Sequence, residues 1–447
     1  MKKKFIIILL SIFLFGSCDL LEPEPVNLII DDLVLNEPGD VNAVEIGLYN
    51  AFRGMASPKV IAGDFTADMI IHNGTFTQFR EFGNKEITSA NGAAGALWGS
   101  IYRTIYISNF ILENLPEVVG VSQLVRDNLM ATAHFMRGYA YFVGAYTYGG
   151  IPLVTNTSLD ENANIPRADM DDVLDQALED LNTAAELIPV FDTNPAFVSI
   201  WAVYATLARF HLYSENWDQA IDFATDVIES EEFLLSQEFT DIVLDDFPTG
   251  SILEVGYTLN DDPGTSTYGL NNLFEARREV IPSNQAVFSL TSDESGDRRF
   301  TMFFNPEELG GIDNGWTVAK YGTADEDNNN IIIFRIAEMY LIRAEANVQL
   351  NNLEEAEDDI NLLRERANAP LVEFINRTQA LQLIENERLY ELAYEGHRWY
   401  DLVRTGRIDD VMNAFSANWR SAFEKWPIPI GEIQNNPALQ GDQNEGY

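Results

Sequence analysis

The sequence predicts an all-α-dominated protein built of tetratricopeptide-like helical hairpin repeats, with a loop-rich insertion that contains short strands. Three observations carry this. Apolar residues recur at i, i+3 and i+4 over separate segments along most of the chain, the period of a helix with one buried face. Two helix pairs superpose when one is shifted by 136 positions: Tyr204, Ala208, Asn216, Trp217 and Ala220 fall on Tyr340, Ala344, Asn352, Leu353 and Ala356. Small residues twelve apart, with a bulky one three before the second, match the tetratricopeptide spacing, where alanines let antiparallel helices approach closely. Between the pairs, residues 250–330 lose this period and collect Gly, Asn, Asp and Thr around short apolar runs such as 252–257, the pattern of turns and short strands.

In chain order, Lys2, Lys3 and Lys4 precede an apolar run at 5–15, then Gly16, Ser17 and the only cysteine, Cys18. About a dozen apolar residues are too few to cross a hydrocarbon core of about 30 Å, so residues 1–17 read as a signal peptide. Small residues before a lone cysteine resemble a bacterial lipobox, which would leave Cys18 as a lipidated N-terminus; Phe15 stands where Leu is usual. Several acyl chains, at about 0.8 kcal/mol per buried methylene, anchor stably where one is marginal. Residues 18–38, acidic and Pro-rich, read as a lipidated tether. Residues 39–447 read as one domain, with its insertion at about 235–330.

Helices are expected at 41–53, 94–115, 123–148, 170–188, 200–214, 217–230, 334–350, 353–367 and 378–403. Pro116, Pro189 and Pro370 stand just past helical runs, and Asp169 is placed to cap one. A further hairpin around Ala140 and Ala177 needs a longer connection.

Charge narrows the partners. There are 28 basic and 70 acidic residues, a net of −42; loss of residues 1–17 removes three lysines and no acids, taking it to −45. So acidic a body disfavours nucleic acid, whose phosphates need a basic face, and polyanions in general unless a local basic pocket intervenes. One cysteine allows neither an internal disulfide nor a zinc site of paired cysteines. His72, His134, His211 and His397 have no metal-pair spacing. Residues 325–330 offer oxygen ligands without the EF-hand pattern and read as a solvated loop. No metal and no cofactor are expected.

More specific stretches follow. Residues 334–346 contain Arg335, Glu338, Tyr340, Arg343 and Glu345, and 360–367 contain Asn361, Arg364 and Arg366. Residues 387–404 hold Glu387, Arg388, Glu391, Glu395, Gly396, His397, Arg398, Trp399 and Asp401, and Trp426, Pro427, Ile428 and Pro429 lie beyond, before the ending at 435–447. Asn109 within 98–112, the run 135–142 followed by Gly149, Gly150 and Pro152, and Ile165, Pro166 and Arg167 complete the set. Together these resemble the SusD/RagB family of Bacteroidetes outer-membrane nutrient-binding lipoproteins, over nearly the whole mature chain and in order. The resemblance implies a SusD-like α/α superhelix, four tetratricopeptide-like helix pairs carrying a loop-rich ligand-binding face. It implies capture of oligosaccharides or peptides, transfer to a SusC-type TonB-dependent β-barrel under a lipoprotein lid, a lipid anchor in the outer membrane, and no catalysis.

Residue chemistry gives the candidates. Sugars stack flat C–H faces on aromatic rings, so aromatics in non-periodic segments are the ones to examine: Phe76, Phe79 and Phe82 before Trp98, and Tyr268, Phe274, Trp316 and Tyr321 in the insertion. Trp201, Trp217 and Trp399 fall on helical stripes and read as core. Arg277–Arg278 and Arg298–Arg299 could grip a carboxylate bidentately, but ion pairs with nearby acids are the favoured reading. Glu391 and Glu395 are one helical turn apart, which places them side by side rather than across a scissile bond. They read, with Arg388, Arg398 and Arg404, as an ion-pair stripe. The expected function is oligosaccharide capture by a non-enzyme. The alternatives are peptide capture, a helical glycoside hydrolase, and a repeat scaffold for other proteins.

Overall fold

The structure is a computed structural model that describes residues 34–189, 193–257, 267–304, 313–321 and 330–447. The signal peptide, Cys18 and all but the end of the tether lie outside the described residues, as does the acidic loop up to Asn329.

Helices α1 (Val41–Val60), α2 (Thr77–Asn84), α3 (Gly92–Asn114), α4 (Gln123–Tyr148), α5 (Leu159–Asn162), α6 (Met170–Leu187), α7 (Ile200–Tyr213) and α8 (Trp217–Glu229) build the first half. Short α9 (Phe239–Leu244) and α10 (Asn284–Leu290) lie in the insertion. The C-terminal third holds α11 (Ile336–Gln349), α12 (Leu353–Arg366), α13 (Arg377–Glu391), α14 (Arg398–Arg404), α15 (Ile408–Phe415) and α16 (Ile430–Asn435). The long helices form a succession: α1 packs on α3, α3 on α4, α4 on α6, α6 on α7, α7 on α8, α8 on α11, and α11 on α12 and α13. Each apolar stripe is covered by its neighbour, as in a helical-repeat array.

The two superposable hairpins share their turns. Asn216 has φ −88° and ψ 73°, and Asn352 has φ −89° and ψ 72°. Glu215 and Asn351 before them are left-handed, at φ 58° and 67°. The Asn216 N–H donates to the His211 carbonyl at 2.9 Å and the Asn352 N–H to that of Asn347 at 2.8 Å, satisfying helix-end carbonyls in the same way. Ala208, Ala220, Ala344 and Ala356 are fully buried at the helix contacts. The longer hairpin is α4 with α6. A Cβ on Gly138 would lie 2.9 Å from the Ala177 carbonyl oxygen, so only glycine permits this approach. Arg137 then clamps Asp180 with Nε at 2.8 Å and Nη2 at 2.6 Å.

Among the described residues the insertion takes part in three antiparallel two-stranded ribbons: β1 (Ile70–His72), from before it, with β3 (Val280–Pro282); β2 (Ser251–Val255) with β6 (Ile331–Arg335), just after it; and β4 (Phe303–Phe304) with β5 (Thr317–Val318). Several helix boundaries differ from the periodic reading. Phe334 and Arg335 end β6, because β2 offers them a ladder partner. The 378–403 segment is two helices: Tyr394 and Gly396 between them adopt φ 63° and 79°. Tertiary contacts enforce this break. The Asp64 carboxylate accepts the N–H groups of Gly396 (2.5 Å) and Arg398 (3.2 Å), and a Cβ on Gly396 would stand 2.7 Å from the Val60 Cα. The first helix runs on past Arg53 to Val60 and then a wider turn, Ile61–Phe65, which carries Asp64. Asp169 occupies the N-cap position of α6 but makes no side-chain cap.

Candidate functional site

The β1–β3 ribbon sets the site. Its register pairs His72 with Val280, so residues 73–76 and 277–279 leave the same end together. The main-chain N–H groups of Asn73 and Gly74 both donate to the Glu279 carbonyl, at 2.9 and 3.1 Å. The buried Glu279 carboxylate then accepts from the N–H groups of Thr75 (2.6 Å) and Phe76 (2.8 Å) and from Arg277 Nε (3.2 Å). Burial raises this carboxyl, but the two backbone donors and Arg277 outweigh it and hold it below its ordinary range. Any Cβ on Gly74 would fall 2.0 Å from the Glu279 carboxylate, which requires glycine there. Phe76 is the N-cap of α2 and has no side-chain cap of its own; Glu279 supplies the acceptor its N–H needs.

A second loop is fixed from the same ribbon. Arg278 pairs with Asp313 at 2.7 Å and reaches the Trp316 carbonyl at 3.2 Å. Asn73 Nδ2 donates to Asp313 at 3.1 Å and to the Arg278 carbonyl at 3.0 Å. Asp313 also accepts the Gly315 N–H at 2.9 Å, and Asn314 accepts that of Trp316 at 3.1 Å. Trp316 is thereby delivered at the start of β5, its ring edge-on to Phe303 at 5.8 Å.

Of the seven aromatics expected at the site, Phe76, Tyr268 and Trp316 are half-buried and keep part of their surface open. Tyr268 stands edge-on to Phe79 at 6.2 Å, and Phe79 lies 6.4 Å from Phe76. The other four do not reach the surface: Phe79, Phe82, Phe274 and Tyr321 are buried at 3% exposure or less. This corrects their reading as ligand contacts. Phe79 and Phe82 sit three apart on α2, a helix rather than a loop, and its inner face packs them on Phe65 at 6.0 and 6.4 Å. Phe274 packs on Phe65 (5.4 Å) and Tyr394 (5.6 Å), Tyr321 stacks on Phe274 at 6.2 Å, and the Tyr321 hydroxyl donates to the Tyr394 carbonyl. Phe76 and Tyr268 thus rest on the buried Phe79, and Trp316 rests on the buried Phe303. The spacing 76, 79, 82 carried the signal for a helix face. Glu279, Asn73 and Asp313 had none, because the bonds that join residues 73–76 to Arg278, Glu279 and Asp313 span about 200 residues or more of sequence.

The basic pairs separate. Arg278 is consumed by Asp313, and Arg299 is wholly buried under Glu387 and Glu391. Arg298 donates to the Gln237 and Arg366 carbonyls. Arg277 gives only Nε to Glu279, while its guanidinium lies over the Phe76 ring, 4.4 Å from the centroid.

The Glu391–Glu395 pair is an internal ion lattice. Arg335 donates to Glu391 at 2.6 Å and to Glu395 at 2.9 Å, and Arg299 to Glu391 at 2.6 Å; Arg366 also pairs with Glu391, and Lys320 with Glu395. Burial raises the Glu391 carboxyl, but Arg366, Arg299 and Arg335 hold it well below its ordinary range. A carboxylate fixed in its ionised form by three guanidiniums is a poor proton donor. Trp399 is core, as its stripe implied; Trp201 and Trp217 pack against the core while half-buried.

Two open clefts lie away from the aromatic face. One, about 420 Å³, opens at the α7–α8 turn and is lined by Trp217, Glu345, Arg388 and Arg404. The other, about 600 Å³, follows α1 past Tyr49, Arg53 and Phe197. Neither holds any of the seven aromatics. Among the described residues there is no group of three or more His, Cys, Asp or Glu able to hold a metal ion, and no helix long and apolar enough to cross a membrane.

Comparison with known proteins fits this geometry. The model described as SusD family matches residues 311–447, and the one described as starch-binding associating with outer membrane matches residues 29–212. The chain belongs to the SusD/RagB family. SusD-like protein P38 of Formosa agariphila is 26% identical, aligned over 99% of this chain and 98% of its own. Starch-binding protein SusD of Bacteroides thetaiotaomicron is 31% identical over 32% of this chain and 28% of its own. Among solved structures, a SusD superfamily protein from Bacteroides vulgatus superposes with a TM-score of 0.80 at 21% identity, covering 92% of this chain and 99% of that one. A laminarin-binding SusD-like protein does so with 0.80 at 22%, covering 92% and 100%. The SusD-like helical fold is thus established, and the family is one of carbohydrate binding and outer-membrane association.

Proposed function

We propose that this SusD-family chain is a cell-surface lipoprotein, anchored in the outer membrane through Cys18, that captures oligosaccharides and passes them to a SusC-type TonB-dependent barrel. The observation that carries the reading is the trio Phe76, Tyr268 and Trp316, each partly open and packed against a buried phenylalanine. Rings held this way present flat apolar faces to sugar C–H groups, and Asn73 and Arg277 beside them supply hydrogen-bonding groups. Such rigid mounting lowers the ordering cost of binding. The starch-binding name of one curated relative supports carbohydrate as the ligand class. Capture involves no catalysis: Glu391 and Glu395, the one side-by-side acid pair singled out in the sequence, are spent on internal arginines.

Two measurements test this together. Native purification of the lipidated protein from gently solubilised outer membranes is expected to bring down a β-barrel of about twice its size; recovery alone would contradict the lid role. Incubation with an oligosaccharide panel is expected to give binding without hydrolysis products. Binding of peptides in place of sugars would move the ligand class, and product formation would make the protein a hydrolase. A Cys18→Ala variant is expected in the soluble fraction.

A further inference from the structure

The loop face carries a guanidinium whose outer edge meets no acceptor among the described residues. Arg277 donates Nε to Glu279 and lies 4.4 Å above the Phe76 centroid, yet neither Nη group has a partner among the described residues. Its acceptor is itself immobile, since Glu279 is buried and held by the N–H groups of Thr75 and Phe76. The guanidinium is thus fixed at its base and on its face, with its outer edge turned away from both. Arg80 is exposed on α2 and has no carboxylate or other polar partner for its side chain among the described residues. It acts electrostatically on His72, which also feels Glu279, so both arginines belong to the same end of the β1–β3 ribbon. In a chain with 70 acidic residues against 28 basic ones, an exposed guanidinium edge that meets no carboxylate among the described residues is available to an anion from outside. Surface pairing would have been easy to provide, as Arg278 and Asp313 next door demonstrate.

From this arrangement we infer that the captured oligosaccharide is acidic, and that the outer edge of Arg277 receives its carboxylate or sulfate oxygens beside the Phe76–Tyr268–Trp316 platform. The inference rests on the capture reading above and narrows its ligand. A pre-oriented guanidinium offers two parallel N–H donors, which fit the oxygens of a uronate carboxylate or a sulfate ester and add direction as well as charge. The net negative charge of the body does not oppose this at contact. Its distant charges are screened beyond about 8–10 Å in physiological salt, whereas a paired contact is not. An acidic sugar would approach with its ring stacked on an aromatic and its anionic group toward Arg277, with Arg80 adding longer-range attraction.

Matched pairs of probes test it. Uronate-bearing oligosaccharides from several backbones are titrated beside their carboxyl-reduced neutral counterparts, and sulfated ones beside their desulfated counterparts. The expected result is a preference of about tenfold or more for the acidic member of at least one pair, and which pair shows it tells uronate from sulfate. Arg277→Gln is expected to collapse the acidic-to-neutral affinity ratio to about one, and Arg277→Lys, which keeps charge without the fork, to leave an intermediate ratio. Thermal unfolding at the wild-type temperature certifies that both variants fold. Equal affinity for both members of every pair would overturn the acidic inference and leave sugar capture standing. An acidic preference unmoved by Arg277→Gln would overturn the assignment to this arginine. Failure of every sugar, with peptides binding, would overturn the capture reading and this inference with it.

Discussion

The ion lattice under Glu391 and the loop platform around Glu279 use the same chemistry for opposite ends. Each centres on a buried glutamate that binds arginine. In the lattice the charges turn inward: Arg299, Arg335 and Glu391 are each at most 3% exposed, and every nitrogen of the Arg299 and Arg335 guanidiniums is bonded inside the protein. In the platform Glu279 spends two of its contacts on backbone N–H groups and only one on Arg277, leaving the guanidinium edge outside. A closed set of pairs holds helices together; an open one leaves a donor for something else. Burial of the cation, rather than the presence of an Arg–Glu pair, separates structure from site.

The sharpest way to break that comparison is Glu391→Ala. Arg366 loses its buried counter-charge and Arg299 and Arg335 each lose one of two, and the cost is expected at about 3–5 kcal/mol, read by denaturant unfolding. A loss below about 1 kcal/mol would mean that the lattice does not hold the fold. Acid should act on the same groups. The carboxyls of Glu391, Glu395 and Asp401 are lowered in the folded protein, where neighbouring cations overcome the effect of burial. Their stabilisation is present above the unfolded carboxylate value of about 4 and is lost as pH falls through the lower folded values. Melting temperature is therefore expected to hold between pH 7 and 5 and to drop steeply below about 4.

Effects at the platform are smaller in stability and larger in binding. Glu279→Ala leaves the N–H groups of Thr75 and Phe76 and the Arg277 Nε without their acceptor, for about 1–3 kcal/mol. Hydrogen exchange should rise at 75 and 76 while α11 to α13 stay protected. Trp316→Ala is the mildest: a half-open ring with one edge-on partner is expected to cost less than about 1 kcal/mol in stability. Its affinity loss should be about 1 kcal/mol, a several-fold change measurable by calorimetry.

The fold was legible because its determinants are local. The 136-residue shift places Asn216 on Asn352, and their dihedrals agree to a degree in each angle. Alanine spacing likewise located the contacts at Ala208, Ala220, Ala344 and Ala356. The site was legible only in part, because aromatic type is written in sequence and burial is not. Phe79 and Phe76 share a segment, yet a helical turn sends one inward and leaves the other at the rim. Phe274 and Tyr321 stand in a polar stretch but close over Phe65 and Tyr394, which come from opposite ends of the chain. Glu279 became visible only when the β1–β3 pairing brought it to Thr75 and Phe76.

The most direct test of the account is a calorimetric titration of a panel-selected oligosaccharide into wild type and a Phe76→Ala/Trp316→Ala double variant of equal fold. Loss of affinity by tenfold or more in the variant is the predicted result. Unchanged affinity for every sugar that binds wild type would contradict it and remove the loop face as the place of capture.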